Sequence, residues 1–237
     1  ARVGALDVLL LAQFLEAVQE ALVEGPVGLR LTLELLQLGL VLAGRTDHDG
    51  RALDLGAPTS KLPTDRLRAQ YGSGNAAEDR ALEQLYFNYG RYLLIASSRA
   101  GSLPANLQGV WNDKATPPWN ADYHTNINIQ MNYWPAEVTD LAETTPPLFA
   151  FIDALRAPGR KTAQLMSGTP GWVVHNETNP WGYTGVHDRP KSFWFREAAA
   201  WLTQHLYDHY RFSGDRAFLR DQAYPAMKEV AEYWLAN

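Results

Sequence analysis

The chain has 237 residues, a formal net charge of −5, 46% hydrophobic and 20% charged residues. These are the proportions of an ordinary globular protein, long enough for one large domain or two small ones with an ample core. Acids and bases are interspersed, which excludes the clustered basic face that nucleic-acid binding needs. The chain has no cysteine, which excludes structural disulfides and thiolate metal sites and leaves the redox compartment open.

Leu9-Leu10-Leu11 lies in an apolar stretch interrupted by Asp7, Gln13 and Glu16. That stretch is too short to span a bilayer and has no signal-peptide cleavage pattern. The location is therefore open, and no membrane partner is expected. The chain starts at Ala1 and its first Met is Met131, so it reads as part of something longer or as a processed chain.

Composition shifts along the sequence: all eight Trp lie between Trp111 and Trp234, and residues 1–70 hold one aromatic, Phe14. Helical character runs over 5–23, up to Gly25-Pro26, and a Leu-rich second helix is expected over 29–42, both as linker or packing helices. Residues 45–64, with Gly50, Gly56, Pro58 and Pro63, read as a loop or boundary. Helix returns over 78–97, where Leu82, Leu85, Tyr86, Tyr89 and Leu93 recur at three- and four-residue spacings. A long irregular stretch with Pro104, Gly109, Pro117 and Pro118 follows up to Tyr123, and loops of that length inside a domain are usually functional or disordered. Further helices are expected over 130–142, 147–167, 195–211 and 215–236, the last bent or restarted at Tyr224-Pro225. A second aromatic loop, 168–194, separates the middle pair.

The chemistry-bearing residues concentrate in and beside the two loops. In the run YHTNINIQMNYW (123–134), His124, Asn126 and Asn128 alternate with Thr125, Ile127 and Ile129. An extended backbone there puts the three polar side chains on one face. Asn amides both donate to and accept from hydroxyls, and they hold a water for a nearby carboxylate base to activate. Equally, these residues suit the cap of a helix starting near Gln130. Trp111-Asn112-Asp113, Trp119-Asn120 and Asn179-Pro180-Trp181 join apolar platforms to polar groups, as sugar rings require, although a single Trp more often serves the core. Trp201 and Trp234, on helices, are expected in the core. His175-Asn176-Glu177 suits ligand binding or acid/base work. His205 and His209 have the i,i+4 spacing of a helix-face metal pair but lack a third ligand. The loop carboxylates are Asp113, Asp122, Glu137, Glu177 and Asp188. Nucleotide-binding glycine loops and the Gly-x-Ser-x-Gly elbow are missing.

The segments SLPANLQGVWND (102–113), PPWNADYHTNINIQMNYWPAEVT (117–139), GWVVHNETNPWG (171–182) and the stretch 198–235 closely resemble family 95 glycoside hydrolases, the inverting α-L-fucosidases, which include some α-L-galactosidase members. The preceding YFNYGRYLLIASSRAGS (86–102) fits too, so that the resemblance covers roughly residues 53–237. It implies a mainly α fold: a partial (α/α)6 barrel, or helical toroid, preceded by linker helices. On this reading residues 1–64 are linker helices or an uncertain segment, and 65–237 form the N-terminal half of the catalytic domain. Residues 1–50 show no such likeness.

By this resemblance Asn126 and Asn128 hold the nucleophilic water and His124 contacts the sugar. Trp111, Asn112, Trp134, His175, Glu177 and Trp181 are the further expected substrate-binding residues. The family's general acid Glu and its Asp partner are expected beyond Asn237, with Glu177 the alternative acid. His175-Asn176-Glu177 departs from the His-His-Asn-Thr type of many relatives, which leaves the exact sugar open. No metal or organic cofactor is implied. The expected partner is a fucosylated oligosaccharide or glycan, and the full-length enzyme is expected to be extracellular or periplasmic. The chain by itself is expected to be inactive and prone to association. The rival readings are a non-catalytic carbohydrate-binding helical module, an α-L-galactosidase-type relative and a helical-repeat scaffold, against which the two long Trp/Asn loops count.

Overall fold

The computed structural model describes residues 53–57 and 59–237. The two linker helices expected over 5–23 and 29–42, and the unassigned segment 1–50, lie outside the described residues.

The described fold is mainly α, as expected. Helices α1 (Thr64–Gln70) and α2 (Ala76–Ser97) come first, then α3 (Asn128–Val138) and α4 (Pro146–Ser167). The short α5 (Pro190–Phe193), α6 (Ala198–Ser213), α7 (Arg216–Phe218) and α8 (Tyr224–Leu235) complete the series. The helices expected within the described residues are thus found within a few residues of their sequence-based bounds; α1, and the short α5 inside the expected second loop, were not anticipated. Asn75 opens α2 by accepting the Glu78 N–H, and Gly168 and Gly214 close α4 and α6 in the left-handed conformation that glycine adopts without penalty.

Pro225 has no N–H to give the preceding turn, and a π-turn over Leu219–Ala223 absorbs that break just before α8. The expected restart at Tyr224-Pro225 is there. Two two-residue strands, β1 (Tyr123–His124) and β2 (Glu177–Thr178), pair antiparallel with His124 opposite Glu177 and Tyr123 opposite Thr178.

The core is built from one face of each long helix. Ile129, Tyr133 and Ala136 of α3, Leu148, Ile152 and Leu155 of α4, and Leu202 and Leu206 of α6 meet Met227 and Val230 of α8. Burial of such side chains stabilises by about 1.5–3 kcal/mol each and dominates the fold's stability. Trp172 is enclosed among them and gives its indole N–H to the Ala226 carbonyl at 3.0 Å, so its polar edge is satisfied. Trp201 is in the core as expected. Trp234 is only half-buried, with the Arg196 guanidinium 5.1 Å from its ring centroid. Two glycines let the second loop press onto the helices. A Cβ on Gly159 would stand 2.9 Å from the Val173 carbonyl, and one on Gly171, at φ +81°, would stand 2.1 Å from the Glu229 carbonyl.

Candidate active site

The first long loop is pinned to α3 by buried hydrogen bonds. The Tyr133 hydroxyl accepts the Ala105 N–H at 3.0 Å and pairs with the Ser98 hydroxyl at 2.6 Å. Asn132 gives its amide to the Ala105 and Asn106 carbonyls, and the Tyr123 hydroxyl donates to the Pro104 carbonyl at 3.1 Å. The second loop joins it at the β1–β2 ladder, where the Thr125 N–H donates to the Asn176 carbonyl at 2.8 Å. The Thr125 hydroxyl also donates to the His175 carbonyl.

The alternation of a strand turns Tyr123 and Thr125 into the protein and leaves His124 and Asn126 on the other side. On that side Glu177 is buried to 5% exposure and receives His124 Nε2 at 3.1 Å on Oε1, while its Oε2 is 3.5 Å from His187 Nδ1. Asp122 is close enough for its carboxyl to be raised above the ordinary range, by burial first and then by the Glu177 charge, with His187 and His124 opposing. Trp119, 70% exposed, meets the His124 ring edge-on at 6.4 Å. Trp119, Asn120 and Ala121 all have positive φ, at 47°, 55° and 51°. Such left-handed conformations cost non-glycine residues about 1 kcal/mol or more each, and strain of this kind clusters at functional sites.

The expected single face of His124, Asn126 and Asn128 needs a correction. Extended backbone ends by Ile127, and Asn128 is already the first residue of α3. The cap of α3 is Ile127, with no side-chain capping bond, so neither Asn serves as the cap. Asn126 is exposed and Asn128 half-buried, and no side-chain hydrogen bond of either amide occurs among the described residues.

The other expected site residues scatter. His175 is 1% exposed, accepts the Phe195 N–H on Nδ1 at 3.2 Å and packs on the Trp194 ring. Burial, with Arg196 adding to it, lowers its imidazole to about 4, so it is a neutral internal group that ties the second loop to the start of α6. Trp134 packs against Trp201 at 6.3 Å. Trp111 lines a separate cleft of about 320 Å3 between α2 and α3, together with Asn106, Gln108 and Asn132. The Asn112 side chain folds onto the Lys114 backbone, and Trp181 projects outward at 88% exposure. His205 and His209 go separate ways: His209 Nδ1 is 2.6 Å from Glu137 Oε1, and His205 Nε2 is buried without a partner among the described residues. Of the expected set, the structure gathers His124 and Glu177 at the ladder, with Asn126 and Asn128 directly downstream. Sequence reasoning did not single out His187, and neither Asp122 nor Trp119 was placed among the site residues.

A mainly helical chain whose long loops converge on imidazoles, carboxylates, free amides and an exposed indole has the equipment of a carbohydrate-active domain. The chain belongs to the glycosyl hydrolase family 95 catalytic domain family, whose model matches residues 48–237. It is 43% identical over 177 residues to a probable alpha-fucosidase A of Aspergillus niger, covering 74% of this chain and 22% of that protein. It is 42% identical over 160 residues to alpha-L-fucosidase 2 of Arabidopsis thaliana, covering 67% and 19%. A probable alpha-fucosidase A of Aspergillus oryzae is 48% identical over 120 residues, covering 50% and 17%. The chain thus spans about a fifth of the length of these relatives.

Proposed function

We propose that the protein to which this chain belongs hydrolyses terminal α-L-fucosides of oligosaccharides or glycans with inversion, and that Asn126 and Asn128 hold the attacking water. The observation that carries this reading is the pair of amides, without side-chain hydrogen bonds among the described residues, where β1 gives way to α3 beside the His124–Glu177 pair. An amide accepts one hydrogen of a water on its oxygen and donates to the water from its nitrogen, so two amides fix its orientation. Single displacement needs a carboxylic acid at the leaving oxygen and a base behind the water, with no covalent intermediate. Glu177 is unsuited to the acid's place, because it is buried and its oxygens are turned to His124 and His187. The acid and base therefore come from other carboxylates of the whole enzyme.

The names of the relatives support fucose as the sugar. The test is hydrolysis of an aryl α-L-fucoside by the intact protein, with the α-L-galactoside as the competing substrate. Faster turnover of the galactoside would replace this reading by the galactosidase one. A second reading, a carbohydrate-binding module without catalysis, is favoured by the outward-facing Trp119 and Trp181. Sugar binding by the intact protein without turnover would establish it.

A further inference from the structure

Glu177 divides its two oxygens between two imidazoles, one from each long loop end: Oε1 to His124 Nε2 at 3.1 Å and Oε2 to His187 Nδ1 at 3.5 Å. A carboxylate only accepts, so a neutral His124 ring carries its hydrogen on Nε2, and the negative Glu177 oxygen facing His187 favours the tautomer with the hydrogen on Nδ1. The opposite nitrogens, His124 Nδ1 and His187 Nε2, are left as lone-pair acceptors.

The two rings differ in access. The His187 side chain is 45% exposed and that of His124 17%. The turn that carries His187 is nonetheless fixed. The Tyr183 hydroxyl donates to the Val186 carbonyl at 2.9 Å, and the Thr184 hydroxyl pairs with Thr162 of α4 at 2.7 Å. The rings of Tyr183 and Phe193 frame the imidazole, with centroids at 6.4 and 6.0 Å.

We propose that His187 is a further ligand-binding residue of this site, its ring oriented by Glu177 so that Nε2 accepts a hydroxyl of a bound monosaccharide. The ligand class is a polyhydroxylated sugar ring. Hydroxyl donors match the two imidazole acceptors, and the Trp119 face offers a platform for the ring's C–H side. This deepens the sugar-site reading and rests on it. A merely structural His187 would pair with Glu177 and remain indifferent to sugar.

The test uses the intact protein and two readouts. Long-range nitrogen–proton NMR reads the ring tautomers, and titration with L-fucose, and separately with D-galactose and D-glucose, reads the ring's response. The expected result is a His187 ring protonated on Nδ1 whose Nε2 resonance moves on addition of sugar. His187→Ala weakens sugar binding by about tenfold at an unchanged melting temperature, the loss expected for one hydrogen bond. His187→Gln, which keeps an acceptor, restores part of it. If D-galactose or D-glucose shifts His187 and L-fucose does not, the fucose reading fails and the His187 assignment stands. If no sugar moves the His187 resonances, or His187→Ala binds as tightly as wild type, the assignment is overturned.

Discussion

Across the two-residue ladder His124 and Glu177 are partners in register, and their side chains close to 3.1 Å between Nε2 and Oε1. The carboxylate is nearly buried, so removing it leaves the half-buried His124 imidazole without this partner. Glu177→Ala is expected to destabilise by about 1–3 kcal/mol, the cost of an unsatisfied buried polar group. Glu177→Gln, which still accepts from one ring, is expected to lose less. Urea denaturation of the three proteins checks the order, and equal stability of Glu177→Ala and wild type would contradict it.

The backbone at Gly171 offers an independent check of how the second loop docks. Alanine there meets a backbone oxygen at 2.1 Å and must also adopt φ +81°. Gly171→Ala is expected to destabilise by more than about 2 kcal/mol through combined overpacking and strain. Thermal unfolding measures it, and an unchanged melting temperature would show that α8 does not approach the loop this closely.

Acid should weaken the fold through its buried histidines. Burial, with Arg196 adding to it, lowers His175 to about 4, and burial alone lowers His205 to about 4. An unfolded histidine takes up its proton near 6.5, so between those values the unfolded chain binds more protons than the folded one. The stability from neutral histidine is therefore complete above about pH 6.5 and is lost as pH falls toward 4. For His175 the loss approaches roughly 3 kcal/mol, since each tenfold drop in proton affinity on folding is worth about 1.36 kcal/mol. His205→Leu, which removes an Nε2 without a partner among the described residues, is expected to move the acid-unfolding midpoint to lower pH. A midpoint unmoved by that change would contradict the account.

The amides call for a kinetic prediction. In the intact protein Asn126→Asp and Asn128→Ala are each expected to cut kcat by about 10²–10³, the scale of losing one preorganised polar contact to the reacting groups. Asn126 is exposed and lacks side-chain bonds among the described residues, so its variant should melt with wild type. Full rates in both variants, measured on an aryl α-L-fucoside, would remove the water-holding role.

The helices were legible because their apolar positions recur at the helical period: Leu148, Ile152 and Leu155 label one face of α4 in the sequence itself. The ladder was not legible. Strands of two residues are held by tertiary contact, and their alternation in 123–129 breaks where α3 begins at Asn128 rather than near Gln130. The tryptophans show the same division. Trp172 and Trp181 stand nine residues apart in one loop, yet the first is fully enclosed and the second almost bare. Composition cannot separate them, because enclosure depends on which helix the loop meets. His187 carries no motif, and only the fold brings it to Glu177, ten positions earlier.

The central claim is inverting hydrolysis at the Asn126–Asn128 water. Its most direct measurement is proton NMR of the intact protein acting on an aryl α-L-fucoside, followed before mutarotation sets in. The expected result is that β-L-fucose is released first and that its signal collapses in Asn126→Asp. Initial release of α-L-fucose, or β-L-fucose formed at the wild-type rate by that variant, would contradict it.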